Sequence, residues 1–282
     1  MPTNDFSNGF DRTIVVSEQS GVLSAPHNKN KRNHAVRDSH QDRVAVITGA
    51  GGALGHHFAL RLAELGCHLA LADLTLAEQT AAAVRGLGRQ VYVEAFDLSD
   101  DQAVQQFADN VLKHFGRCDI LVNNAAYMPL VPFAELTLET FRRFEAVNVE
   151  APLLLAQAFA PTMASRGYGR IVQIASSTVG NPMPNFTGYI TTKMAGIGLV
   201  RALAAELGPQ GITVNAIAPG LTRTPSSEKN LPPALFEAVC NQQLIKRNGV
   251  PEDLCGLLAF ITSEDAGFIT GQVLYADGGT VF

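Results

Sequence analysis

From Arg43 onward, short apolar runs alternate with segments of helical periodicity, and this alternation is what most limits the possible folds. It is typical of repeated β-α-β units around a parallel sheet. The apolar runs predict seven strands, at 44–48, 68–73, 90–96, 120–123, 170–175, 213–218 and 273–276. Helical spacing is found at 58–65, 103–115, 151–163, 189–207 and 251–261. We therefore expect an α/β protein with a Rossmann fold, in which helices flank a doubly wound parallel sheet of seven strands.

The first part of the chain has a different composition. Residues 1–41 are rich in Asn, Ser, Asp, His and Lys and contain only short apolar patches. Such a segment buries too little apolar area to offset the entropy lost on ordering. We predict a flexible N-terminal extension over 1–41 and one domain over 42–282, since neither an internal repeat nor a linker follows residue 42.

Charge and cysteine usage exclude several classes of function. The formal net charge is -5 and there is no long basic stripe, so we expect no nucleic-acid partner. The four cysteines are scattered, without the spacing of a metal site, so we expect no metal. We see neither a signal-peptide pattern nor an apolar run of about 18 residues, so we expect no membrane association and a cytoplasmic location. A small molecule is the expected partner.

Two helix starts are predicted from capping boxes, in which a hydroxyl and a side chain three residues later satisfy each other's backbone groups. The first pairs Thr75 with Glu78, and the second pairs Ser99 with Gln102.

A glycine-rich stretch follows the first predicted strand directly. It reads Thr-Gly-Ala-Gly-Gly-Ala-Leu-Gly over residues 48–55 and runs into a helical segment. A glycine turn that leads into a helix can present backbone N–H groups and the helix dipole to a pyrophosphate. Such turns also occur for structural reasons alone, but this order of strand, turn and helix predicts a dinucleotide site.

Asp73 ends the second predicted strand, eighteen residues beyond Gly55. At this place a carboxylate can accept hydrogen bonds from an adenosine ribose and repels a 2′-phosphate. No basic residue interrupts residues 50–53 to bind such a phosphate. We therefore expect NAD rather than NADP; a helix-capping aspartate is the alternative.

Tyr189 and Lys193 are four residues apart in a helical segment, and Ser176 lies thirteen residues before the tyrosine. Residues at this spacing share one helix face, and a nearby ammonium lowers the pKa of a phenol. The pair is thus a candidate general acid and base, although a surface pair has the same spacing.

Taken in order, these features resemble the short-chain dehydrogenase/reductase family over about residues 43–279. The shared motifs are residues 48–55, Asp97-Leu98, Asn123-Asn124-Ala125-Ala126, Asn148, Ser176, Tyr189 with Lys193, Pro219-Gly220 and Thr224. The resemblance implies that 42–282 is a dinucleotide-binding catalytic domain.

The resemblance also implies a role for each catalytic residue. Tyr189 would exchange the hydroxyl proton, Lys193 would bind the nicotinamide ribose and favour the phenolate, and Ser176 would hydrogen-bond the reacting oxygen. Asn148 would anchor a water chain from Lys193 to solvent, or satisfy a helix kink, or both.

The same resemblance implies contacts with the cofactor. Asp97 and Leu98 would contact the adenine, Asn123 would stabilise the sheet, and Thr224 would bind the carboxamide; capping the next helix is the alternative for Asp97. The expected cofactor-binding residues are Gly49, Gly52, Ala53, Leu54, Gly55, Asp73, Leu74, Asp97, Leu98, Asn124, Ala125, Tyr189, Lys193, Pro219, Gly220, Thr222 and Thr224.

Two residues depart from the family pattern. Ala53 replaces the usual middle glycine, so its methyl is expected to crowd the pyrophosphate, and Ala126 replaces the glycine that closes the Asn-Asn-Ala stretch.

By analogy with the family, residues 179–187 and 221–244 are expected to form the substrate loops. Tyr127, Met183, Phe186 and Phe236 suggest an apolar pocket, although each could be ordinary core. A cyclic or aromatic secondary alcohol, with its ketone or aldehyde, would fit.

Family members commonly pair the helices at 151–163 and 189–207 across subunits, which implies a homotetramer, or next a dimer. The expected function is that of an NAD-dependent oxidoreductase acting on an alcohol or ketone. The alternatives are a 3-oxoacyl thioester reductase, a non-catalytic dinucleotide-binding sensor, and an epimerase or dehydratase with a larger C-terminal domain.

Overall fold

The computed structural model describes residues 40–281, and the expected extension therefore lies almost entirely outside the described residues. Seven parallel strands form one sheet in the order β3-β2-β1-β4-β5-β6-β7. Their bounds are β1 Val44–Thr48, β2 His68–Asp73, β3 Val91–Ala95, β4 Ile120–Asn123, β5 Gly169–Ile174, β6 Ile212–Pro219 and β7 Val273–Ala276. The predicted fold class and all seven strands are confirmed.

Helices cover both faces of the sheet. They are α1 Ala53–Glu64, α2 Glu78–Gly86, α3 Asp101–Phe115, α4 Leu138–Glu145, α5 Ala151–Arg166, α6 Thr187–Leu207, α7 Pro225–Asn230, α8 Pro233–Gln242 and α9 Glu252–Ile261. Apolar residues of α1, α2 and α9 pack on one face, and those of α3, α5 and α6 pack on the other. Because both faces are covered, the central strands β1, β4, β5 and β6 are buried along their whole length instead of alternating.

The predicted helix caps are wrong in both places. The first residue of α2 follows Ala77, which makes no side-chain cap, so Thr75 does not cap this helix. The cap of α3 is Asp100, one residue after Ser99, and its carboxylate accepts hydrogen bonds from the backbone N–H groups of Gln102 and Ala103. Both N–H groups donate to a single oxygen of Asp100, Oδ1, whereas the Ser99 hydroxyl instead donates to Asp97.

Several elements were not recognised in the sequence. Helix α4 leads through a π-helical turn, Ala146–Glu150, into α5. The expected substrate loop at 221–244 contains α7 and α8. Each of these helices is short, and the first residue of both α7 and α8 is a proline, which suits a helix start but obscures apolar periodicity.

The order of the strands determines where a ligand can bind. From β1 the chain builds outward to β2 and β3, and then returns to the other side of β1 to form β4. In open α/β sheets, ligands bind beyond the carboxyl ends of the strands at such a reversal. The glycine-rich turn after β1 and the Asn-Asn-Ala stretch after β4 meet there. Within residues 40–281, we find no helix that is both long and apolar enough to cross a membrane.

Candidate functional site

The glycine-rich turn presents an uncapped helix N-terminus. Gly52 precedes α1 without a side-chain cap, and the first turn of α1 contains no acidic residue. Gly49 has a φ of +67°, and a Cβ at Gly55 would overlap the carbonyl oxygen of Gly49, so both positions need glycine. Ala53 is the first residue of α1. Backbone N–H groups at a helix start with neither a side-chain cap nor an acidic residue in the first turn suit an anion such as a pyrophosphate.

Asp73 is fixed beside this turn. Its Oδ2 accepts a hydrogen bond from the backbone N–H of Gly51 at 2.8 Å, and its Oδ1 accepts one from Leu74 at 2.7 Å. The cap residue of α2 is Ala77, so the helix-capping alternative for Asp73 does not hold. The carboxylate lies at the entrance of a cavity of about 140 Å³ that Leu98 and Val147 also line. The volume and flat apolar walls of this cavity suit an adenine ring, and we call it the adenosine cavity.

Asp97 lies across the adenosine cavity from Asp73. Its Oδ1 accepts hydrogen bonds from the N–H and the hydroxyl of Ser99, and its Oδ2 pairs with Arg143 at 2.7 Å. Burial alone would raise the pKa of Asp97, but the hydrogen bonds from Ser99 and the Arg143 guanidinium lower it. The cap of α3 is Asp100, so the capping alternative for Asp97 does not hold either.

Asn124 joins the ends of β1 and β4. Its Nδ2 donates to the carbonyl oxygens of Thr48 at 2.9 Å and of Gly49 at 3.1 Å. The backbone N–H groups of Asn124 and Ala125 both donate to the Thr48 hydroxyl at 3.1 Å. Asn123 was expected to stabilise the sheet, but its Oδ1 has no hydrogen-bond partner among residues 40–281. The linking amide in the described structure is therefore that of Asn124.

Tyr189, Lys193 and Ser176 line one cavity of about 260 Å³. Tyr189 and Lys193 lie on α6 and are only 8% and 2% exposed. The Lys193 ammonium donates to the carbonyl oxygen of Ile174 at 2.6 Å and lies 5.4 Å from the centre of the Tyr189 ring. Ser176 follows β5, and its hydroxyl accepts hydrogen bonds from the N–H and hydroxyl of Thr178. The end of β5 and the start of α6 thus bring these three residues together in one cavity wall.

Burial governs the proton affinities of this group. It raises the pKa of Tyr189 to about 12, against a smaller lowering by a hydrogen bond from Ser176. It also lowers the pKa of Lys193 to about 8. The net shift of the Tyr189 pKa is therefore upward, opposite to the lowering expected from Lys193, because burial disfavours the phenolate.

Asn148 lies in the π-helical turn between α4 and α5. Its Oδ1 accepts from the Tyr127 N–H at 2.8 Å, and its Nδ2 donates to the Tyr127 carbonyl and to the Thr192 hydroxyl, each at 3.0 Å. Thr192 precedes Lys193 on α6. Asn148 therefore ties the π-helical turn to α6 and to the backbone of Tyr127. Its role in a water chain stays a prediction.

Two of the four expected substrate residues, Met183 and Phe186, line the cavity that holds Ser176, Tyr189 and Lys193. Tyr127 does not; it lines the adenosine cavity, where its ring meets Phe144 edge-on at 5.0 Å. Phe236 is buried beneath the guanidinium of Arg223, at 4.7 Å from ring centre to Cζ, and is likewise outside the cavity wall.

Other apolar wall residues are Met128, Leu221, Leu231 and Val239. Three of them lie within the predicted segment 221–244, but only the packing of α7 and α8 shows which side chains face inward. Lys193 is the one charged side chain in the wall as the described residues form it.

The segment after β6 completes the same cavity. Pro219, Gly220, Thr222 and Thr224 all line it. The Thr222 hydroxyl donates to the Gly220 carbonyl at 3.1 Å. Thr224 caps α7 in a reciprocal box with Ser227, an interaction that fixes its hydroxyl at the cavity edge. These residues are placed where a carboxamide could bind.

Comparison with known proteins relates the whole domain to nucleotide-dependent oxidoreductases. A family model described as "Enoyl-(Acyl carrier protein) reductase" matches residues 49–281. A short-chain dehydrogenase/reductase from Armillaria gallica is 35% identical over 86% of this chain and 97% of its own length. The (2S)-[(R)-hydroxy(phenyl)methyl]succinyl-CoA dehydrogenase subunit BbsD from Thauera aromatica is 37% identical over 85% of this chain and 96% of its own.

A solved structure is also similar. It is named as an NAD(P)-dependent gluconate 5-dehydrogenase from Beutenbergia cavernae with bound NADP at low occupancy. The TM-score is 0.80 at 33% identity, and the match covers 85% of this chain and 97% of that one.

The buried ammonium predicts how stability responds to pH. The folded protein releases the Lys193 proton near pH 8, whereas the unfolded chain holds it to about 10.5. Between these values the unfolded state binds more protons, so the free energy of unfolding rises with pH. Relative to Lys193→Met, we expect wild type to gain up to about 2 kcal/mol between pH 7 and 9.5, measured by urea unfolding. Lys113→Met, on the exposed side of α3, should parallel wild type. Parallel curves for Lys193→Met would contradict the assignment.

Proposed function

This chain belongs to the short-chain dehydrogenase/reductase family, and we propose that it is an NAD(H)-dependent oxidoreductase. It interconverts a cyclic or aromatic secondary alcohol and its ketone by hydride transfer. The observation that carries the proposal is the meeting of Ser176, Tyr189 and Lys193 in one cavity that is otherwise apolar or uncharged. A non-catalytic sensor would need no such buried acid/base pair.

The dinucleotide fits the residues that surround its proposed site. The uncapped start of α1 suits the pyrophosphate, the adenosine cavity suits the adenine, and Asp73 suits a ribose. When bound, NAD supplies the carbon that accepts or returns the hydride.

The chain's own residues handle the proton. Tyr189 exchanges it with the substrate oxygen, and the Ser176 hydroxyl donates a hydrogen bond to that oxygen. The phenol form that burial favours is the form that donates a proton to the carbonyl oxygen during ketone reduction. Alcohol oxidation needs the phenolate, which a protonated Lys193 stabilises because it lies 5.4 Å from the ring centre.

Asp73 supports the choice of NAD over NADP. Its carboxylate is held at the adenosine cavity by Gly51 and Leu74, so it cannot easily swing away from a 2′-phosphate. A solved relative with NADP shows that this fold alone does not decide the cofactor. The charge at position 73 therefore carries the preference.

The substrate proposal rests on the composition of the cavity wall. Met183 and Phe186 offer apolar surface close to Tyr189, and the Phe186 and Tyr189 rings lie 5.9 Å apart. A planar or cyclic carbon skeleton fills such a space with favourable contacts. The name of the Thauera aromatica relative combines a phenyl-bearing alcohol with a CoA thioester. A ring-bearing CoA thioester is therefore the second candidate, to be tested in the same assay as free cyclic alcohols.

The outer face of α6 supports assembly into a homotetramer. Met194, Ala195 and Gly198 are exposed on this helix, and small residues allow two helices to approach closely. We expect light scattering to give four times the mass of one chain. A monomer at micromolar concentration would reject the assembly.

Replacing Tyr189 tests the reaction mechanism. Tyr189→Phe removes the hydroxyl that exchanges the proton, so we expect kcat for NAD reduction by a cyclic secondary alcohol to fall by about 10²- to 10⁴-fold. NADH affinity, measured by nicotinamide fluorescence, should change little. Tyr275→Phe, at an exposed position outside the site, is the control. Unchanged turnover in Tyr189→Phe would refute the proposed role.

Replacing Asp73 tests the cofactor preference. Asp73→Asn removes the charge that opposes a 2′-phosphate, so kcat/KM for NADP should rise relative to NAD by about tenfold. Asp101→Asn, which removes the same charge from the exposed start of α3, should leave the ratio as in wild type. A wild-type enzyme that prefers NADP would overturn the assignment.

A further inference from the structure

Arg143 spans the outer edge of the adenosine cavity. It belongs to α4, and its Nη2 lies 2.7 Å from Oδ2 of Asp97, which follows β3. Its guanidinium carbon lies 5.4 Å from the centre of the Tyr127 ring, and Tyr127 lines the same cavity. Arg143 belongs to none of the family motifs in the sequence. It reaches the cavity only because α4 packs beside the loop that follows β3.

The ion pair determines which acceptor positions Asp97 has left. A carboxylate offers about four acceptor positions on its two oxygens. Oδ1 already accepts from the Ser99 N–H at 2.9 Å and from the Ser99 hydroxyl at 2.8 Å. Oδ2 accepts from Arg143. Within residues 40–281, Oδ2 accepts from Arg143 alone, so one of its acceptor positions is available to a ligand, and Ser99 and Arg143 together fix the orientation of the carboxylate.

An available carboxylate acceptor distinguishes between purine rings. An exocyclic amino group, as in adenine, can donate to it, whereas an oxo group, as in hypoxanthine, would place two acceptors against each other. Leaving a polar group unpaired or opposed inside a site costs more than the net value of the bond it replaces.

We propose that Arg143 is a specificity-determining residue that, by orienting Asp97, makes the adenosine cavity select a 6-amino purine dinucleotide over a 6-oxo one. It acts through Asp97 and is a positioning residue. This inference rests on the proposed dinucleotide function, because it concerns the adenine end of the same site.

Exposure limits the size of the effect. The Arg143 and Asp97 side chains are 44% and 37% exposed, so solvent screens the pair. We expect Arg143→Gln to weaken NADH binding by up to about fivefold, the range that a partly exposed charge pair supports.

The test compares two cofactors in one titration. Dissociation constants for NADH and for reduced nicotinamide hypoxanthine dinucleotide are measured by nicotinamide fluorescence. Wild type should prefer NADH, and Arg143→Gln should lose most of that preference, with the hypoxanthine cofactor bound about as before. Arg142→Gln is the matched control: it removes the same charge from the neighbouring exposed position, which does not line the cavity.

A double-mutant cycle checks that Asp97 is the intermediary. In an Asp97→Asn background, Arg143→Gln should cause no further loss of preference, because contacting residues couple. Arg143→Lys keeps the positive charge but lacks the planar guanidinium, so it should retain part of the preference for NADH. This variant replaces Arg143→Gln in the test if Arg143→Gln does not fold.

Three outcomes have separate meanings. Equal weakening of both cofactors by Arg143→Gln would overturn the inference, because it would indicate a general charge effect. A wild type that binds both cofactors equally would also overturn it. If wild type binds neither cofactor, the proposed function itself fails.

Discussion

Everything in the site depends on the junction between the carboxyl ends of β1 and β4. The Asn124 amide donates to two carbonyls of the Thr48-Gly49 turn, and the Thr48 hydroxyl accepts from two N–H groups of the β4 end. These bonds join the two loops at the point where the strand order reverses. A cofactor placed there would touch α1 on one side and the segment after β4 on the other. A loose junction would misplace every contact beyond it, which explains why four hydrogen bonds converge on two residues.

Exclusion of water is the second constraint, and it has opposite effects on the two titrating groups. The dry cavity raises the pKa of Tyr189 to about 12 and lowers that of Lys193 to about 8, so both favour their neutral forms. The same burial destabilises the fold, because an ammonium is kept out of water at neutral pH. The carbonyl of Ile174 offsets part of that cost by accepting its hydrogen bond.

Much of this arrangement can be predicted from the sequence, since buried parallel strands are continuous apolar runs and the glycine turn has a fixed spacing. All seven strands were found for this reason. The sequence does not show which of two neighbouring polar residues makes a given hydrogen bond. Asp100 rather than Ser99 accepts the bonds that cap α3, and the Asn124 amide donates the bonds that join β1 and β4. Sequence spacing also does not show where a side chain points. Tyr127 faces the adenosine cavity because Asn148 holds its backbone, and Phe236 lies under the guanidinium of Arg223. Neither contact has a signal in the sequence.

The two ends of the site use charge in different ways. At the nicotinamide end, the wall formed by the described residues holds a single charged side chain, and it is nearly inaccessible, so its effect is strong and little affected by salt. At the adenosine end, Asp73, Asp97 and Arg143 are partly exposed and orient one another through hydrogen bonds. Charges there can discriminate between cofactors without disturbing the proton transfer. Under the proposed function, reaction type and cofactor choice are therefore separable, because the residues to which they are assigned are in different dielectric environments.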